Sequence, residues 1–130
     1  NKLRALGHSV FDDWWAAGPE ADDWWTHYER ERGHSFTEAL SGLAAEHVFE
    51  FDRRHLLMAD AGVLMLPAGK SAHLELGFLI GRNKRAYVLL DGEPKRFDVM
   101  YRFARVCDTE DELLRILQTD RWLEVQWQQS

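Results

Sequence analysis

The sequence has one cysteine, three prolines and no basic excess, and no apolar run approaches the ~20 residues needed to cross a bilayer. Each shortage excludes something. Cys107, being alone, forms no internal disulfide, so the expected setting is a reducing one, the cytoplasm. With 16 basic against 22 acidic side chains the net charge is −6, which argues against a sequence-independent grip on a nucleic-acid polymer, because that affinity comes from neutralised phosphates. A small nucleotide pocket needs only a few local donors and stays open. No membrane association is expected, and no charged-then-apolar leader is seen ahead of the domain. The six histidines show no ligand spacing, so no metal is expected.

What is present is enough for one core: 130 residues, 45% of them hydrophobic, predict a single domain over 1–130. The opening run Asn1-Lys2-Leu3-Arg4-Ala5-Leu6-Gly7 reads as the end of a helix closed by glycine, which predicts further chain upstream. Residues 8–12 read as a short strand and 13–19 as an aromatic-rich loop. Asp-Asp-Trp-Trp occurs twice, at Trp14-Trp15 and Trp24-Trp25, which is too little for a structural repeat. A helix over 20–32 ends at Gly33. Ser35 with Glu38 is a capping box that opens a helical stretch, with a break, toward Met58.

The clearest signal is Ala61-Gly62-Val63-Leu64-Met65-Leu66, a continuous apolar run expected of a strand covered on both faces. It breaks at Pro67-Ala68-Gly69-Lys70, and Ser71 is positioned to cap a helix over 72–81. Residues 85–90 form a second buried strand, Asp91-Gly92-Glu93-Pro94 a turn, and 105–107 a short strand. Thr109 with Glu112 is a second capping box, leading to a last helix or helix pair over 110–128. Strands alternating with helices predict a mostly parallel α/β sheet, Rossmann-like or flavodoxin-like, with helices on both faces.

In such sheets ligands bind beyond the carboxyl ends of the strands, so the loop 67–71 is where chemistry is expected. Glycine lets backbone approach a ligand, and free amides at a helix start favour negative charge. Glu75 stands about one helical turn beyond Ser71 in a helix otherwise rich in Leu, Phe and Ile. It is either a polar spot on a partly solvated helix or a carboxylate held in a cleft.

Asp52, Ala59-Asp60 and Pro67-Ala68-Gly69-Lys70-Ser71-Ala72-His73-Leu74-Glu75-Leu76-Gly77 together resemble the core of nucleoside 2-deoxyribosyltransferases and the related nucleoside 5′-monophosphate N-glycosidases. The likeness continues through Gly81-Arg82-Asn83-Lys84 and returns at Asp98-Val99-Met100-Tyr101-Arg102, covering residues 3–117. The family's first strand, with the glycine-containing loop that floors the base, has no counterpart here.

The resemblance implies that Glu75 is the nucleophile that attacks the anomeric carbon. A carboxylate suits an oxocarbenium-like transition state, and a covalent glycosyl ester splits one hard displacement into two easier ones. Asp52 matches an aspartate lining the site near sugar and base; the alternative is a solvated helix charge beside Arg53 and Arg54. Asp60 is expected to hold the entrance of the central strand rather than to do chemistry.

Gly69, Lys70 and Ser71 stand where the family receives a sugar hydroxyl or 5′-phosphate. Lys70 and His73 are either substrate contacts or solvated side chains. Asp98 stands where the family has Asn or Ser in a segment that reaches a neighbouring subunit; an acid there disfavours a phosphate, or simply caps the short helix after it. Trp14 and Trp15 either stack on a base or belong to core or interface. The implied activity is cleavage or transfer at the N-glycosidic bond of a nucleoside or nucleotide, without a cofactor, in a homodimer or larger assembly. The runner-up is a non-catalytic module that binds a nucleotide-like ligand on the same fold; a third reading is an interaction domain using exposed tryptophans.

Overall fold

The computed structural model describes residues 2–7, 9–11, 19–118 and 124–128. Trp14 and Trp15 lie outside them. The chain divides into two compact units, Asn1–Asp12 with Leu56–Ser130, and Asp13–His55.

The first unit is an α/β layer structure. Its strands are β1 (Ser9–Phe11), β2 (Ala61–Met65), β3 (Arg85–Leu89), β4 (Arg105–Cys107) and β5 (Glu124–Gln128), all parallel, in the order β1-β5-β2-β3-β4. The helices of this unit are α1 (Lys2–Ala5), α5 (Lys70–Gly81) and α6 (Glu110–Gln118), joined by the last turn of α4. A 3₁₀ turn, Val99–Phe103, links β3 to β4.

Alternation along β2 and β3 sorts the core into two layers, because successive strand side chains point to opposite faces. Leu64, Ala86 and Val88 pack with Ala72 and Leu76 of α5. Val63, Tyr87 and Leu89 pack with Leu113 and Leu117 of α6. The two helices therefore cover opposite faces. Chain direction requires this: α5 carries the chain from β2 out to β3, whereas α6 carries it back from β4 to β5, and both crossovers obey the same right-handed rule.

The flavodoxin-like order places the first strand between the second and third. No strand precedes β1 among the described residues, and the place between β1 and β2 is taken by β5: Val125 stands opposite both Val10 and Ala61. The helix expected to run to Gln128 stops ten residues earlier, at Gln118. Val125 and Trp127 alternate with Glu124, Gln126 and Gln128, a period of two that suits a strand and not a continued amphipathic helix. Lys2 of α1 ties to Glu110 of α6 at 2.9 Å, which holds the Lys2 ammonium above its ordinary range.

The second unit holds α2 (Pro19–Glu31), α3 (Phe36–Leu40) and all but the last turn of α4 (Leu43–Met58). Gly33 closes α2 at φ 74°, a left-handed conformation that glycine adopts without a Cβ penalty. The Ser35 hydroxyl accepts from Glu38 N while the Glu38 carboxylate accepts from Ser35 N, the expected capping box. The break falls at Ser41 and Gly42. At α6 the Thr109 hydroxyl accepts from Glu112 N, but the Glu112 carboxylate reaches Asp108 N rather than Thr109, so that box closes one residue early.

Candidate active site

The loop after β2 leaves the sheet beside β5, where the strand order reverses. From β2 the chain runs outward to β3 and β4, and it returns on the other face to β5. Such a switch point leaves a crevice beyond the strand ends.

Helix α5 begins at Lys70, one residue before the expected cap. Gly69 is the N-cap, with extended backbone and no side-chain bond, and Ser71 lies exposed in the first turn instead of capping it. A glycine cap has no side-chain acceptor, so the amides of the first turn are left for other partners. Residues 68–70 with His73 and Leu74 line an open cleft of about 630 Å³.

His73 is fixed at both ring nitrogens. Nδ1 lies 2.8 Å from the Gly69 carbonyl and Nε2 lies 2.8 Å from the Tyr101 hydroxyl. A carbonyl only accepts, so Nδ1 carries hydrogen. In the neutral ring Nε2 is then an acceptor, and Tyr101 donates to it. Burial first, and the Asp98 charge second, push the Tyr101 phenol above its ordinary value. The chain Gly69–His73–Tyr101 thus pins the 3₁₀ turn to the mouth of α5. Tyr101 packs against the α5 face of the core, completing that tie.

Glu75 lies on the other flank of α5. At about 100° per residue, two positions place it roughly 160° from His73 by the shorter way round. It therefore stands on the flank of α5 away from His73 and its Tyr101 partner. The residue is half-buried and its Oε2 is shielded from solvent. It is the sixth residue of α5, beyond the first turn, where the helix dipole has little effect. Gly77 beside it has open space where a Cβ would stand.

Gly69, Lys70 and His73 are therefore brought together in one cleft, and Ser71 stays at the exposed helix start. Asp98 is exposed, and its carboxylate accepts from Met100 N at 2.9 Å as the N-cap of the 3₁₀ turn. Asp52 belongs to the second unit, half-buried on α4 with Oδ1 shielded from solvent. Asp60 accepts from Arg85 N at 3.3 Å through its backbone carbonyl, which joins the entrances of β2 and β3. Cys107 is fully buried, and burial pushes its thiol up, away from the reactive thiolate.

No family model, curated protein or solved structure matches this chain. Among the described residues no group of three or more His, Cys, Asp or Glu is arranged to hold a metal, and no helix is long and apolar enough to cross a membrane.

Reading the sequence alone missed Tyr101 as the partner of His73. Twenty-eight positions separate them, and nothing local marks the pairing.

Proposed function

We propose that this chain cleaves or transfers the N-glycosidic bond of a nucleoside or nucleotide, with Glu75 as the nucleophile. The observation that carries the reading is a half-buried carboxylate with one oxygen shielded from solvent, on the helix that leaves the sheet at its switch point.

In the proposed reaction a Glu75 oxygen bonds to C1′ as the C1′–N bond breaks. The bonding pair leaves with the base nitrogen, which takes a proton from solvent, and the proton later lost by the attacking water returns to solvent. Water then attacks C1′, releases the sugar and restores the carboxylate; a second base in place of water makes the reaction a transfer. Gly69, Lys70 and Ser71 are assigned the sugar hydroxyls or a 5′-phosphate, with His73 holding their loop in shape. With an exposed acid at Asp98, nucleosides are the favoured substrates. Assembly as a homodimer through the 98–102 segment belongs to the same reading.

The test is release of free base from a nucleoside panel, read by chromatography. Glu75→Gln keeps shape and hydrogen-bonding capacity while removing the nucleophile, and should lower turnover by about three powers of ten with little change in substrate binding. Normal turnover in that variant would sink the reading. Nucleosides that raise the melting temperature without any base release would favour a binding module instead.

A further inference from the structure

The second unit contains a cavity of about 270 Å³ whose chemistry is unconnected with Glu75. Its walls include Trp25 and Phe36, edge to face at 6.3 Å, and its lining includes Glu29, Arg30 and His34. Glu29 is the unusual member, an acid only 5% exposed.

The surroundings of Glu29 are electronegative. His34 Nδ1 bonds Oε2, and His34 N bonds the Glu29 carbonyl at 3.0 Å, so the turn after α2 folds back onto this one residue. The other carboxylate oxygen lies near the break between α3 and α4. Around the point where Gly42 would carry a Cβ, Ala39 O lies at 3.3 Å, Glu29 Oε1 at 3.8 Å and Glu38 O at 4.0 Å. These carbonyls form the negative end of α3, and Glu29 itself stands in the last turn of α2, at another negative end. Both placements are adverse for an anion and favourable for a cation.

Two further features narrow the ligand. Buried Glu29 has no lysine or arginine ion-pair partner among the described residues; its one ionic contact is the His34 imidazole. The Trp25 ring forms a wall of the cavity beside Phe36. An acid at the floor with aromatic walls suits an organic cation, which gains from ring faces as well as from the carboxylate; a strongly hydrated metal ion gains little from such walls.

We infer that this cavity is a binding site for a small organic ammonium ion, its charge held by Glu29 and its apolar part against the Trp25 and Phe36 rings. Arg30 stands at the exposed rim and repels that ligand rather than holding it.

The experiment titrates the full chain with benzylamine, cationic at neutral pH, and with benzyl alcohol, its neutral counterpart of similar shape. Binding is read from the Trp25 indole N–H resonance and by calorimetry. The amine should bind at least about tenfold more tightly than the alcohol, a difference of about 1.4 kcal/mol. Glu29→Gln should remove that preference. Arg30→Gln, an exposed change that leaves the core alone, should tighten amine binding by roughly two- to fivefold at low salt as a repulsion is lifted. The inference is overturned if amine and alcohol bind alike, if neither binds at tens of millimolar, or if Arg30→Gln weakens the amine. Should Glu29 serve only to clamp the turn, Glu29→Gln lowers the melting temperature while no probe shifts the indole resonance in the parent chain, which also overturns it.

Discussion

Leu117→Ala tests how the sheet is covered. Leu117 is fully buried in α6, packed with Val63, Tyr87, Leu89, Cys107 and Leu113 on the face opposite α5. Removing its side chain beyond Cβ forfeits about 2 kcal/mol of apolar transfer, and the cavity left between a helix and a sheet closes poorly, adding about 1 to 2 kcal/mol. The expected loss is about 3 to 4 kcal/mol in urea unfolding followed by far-ultraviolet circular dichroism, with the slope against urea unchanged. Arg115, exposed on the same helix, is the control, and Arg115→Ala should change stability by less than about 0.5 kcal/mol. If Leu117→Ala costs less than about 1 kcal/mol, or the control costs as much, α6 does not dock by this stripe and the two-layer core is wrong.

Tyr101→Phe should remove part of the alkaline loss of stability. A phenol whose folded value is raised contributes stability in full below its unfolded value of 10.0, and loses it as pH rises through the folded value, so parent and variant should diverge above pH 10 in melting temperature. An unchanged alkaline limb would remove the proposed burial of that hydroxyl. Hydrogen exchange should show the amides of 125–127 protected to the same order as those of β2, because β5 pairs on both sides. Exchange at the rate of a frayed terminus would instead return this segment to a loop or helix end.

The strands β2 and β3 were legible because strands covered on both faces must be apolar throughout, and Ala61 to Met65 and Ala86 to Leu89 are. Capping chemistry gave α3 its start, since Ser35 and Glu38 act within four residues of each other. The fifth strand was not legible. Its pattern is five residues long with polar ends, and the decisive fact, a vacancy between β1 and β2 that only a parallel strand fills, exists only in three dimensions. The same limit applies to the site. Glu75 stood out as the one acid in an apolar helix, whereas the His73–Tyr101 bond depends on the 3₁₀ turn folding back over α5. Glu29 carried a local clue that went unused: Gly33 reverses the chain, so His34 had to return toward the last turn of α2.

The two flanks of α5 divide what the sequence suggested was a single pocket. A ligand in the cleft beside Lys70 and His73 meets the flank tied to Tyr101, where the histidine nitrogens are already engaged. Glu75 stands on the other flank. A substrate that touches both must therefore lie across the start of α5, with its anionic or hydroxyl end at the amides after Gly69 and its reacting carbon on the Glu75 side. This geometry assigns different work to residues that stand only two positions apart. His73 holds the loop in shape, so on the proposed reading its loss should loosen substrate binding, whereas loss of the proposed nucleophile Glu75 should fall on turnover. The separation follows from helical pitch alone, because side chains two apart stand on opposite flanks of a helix.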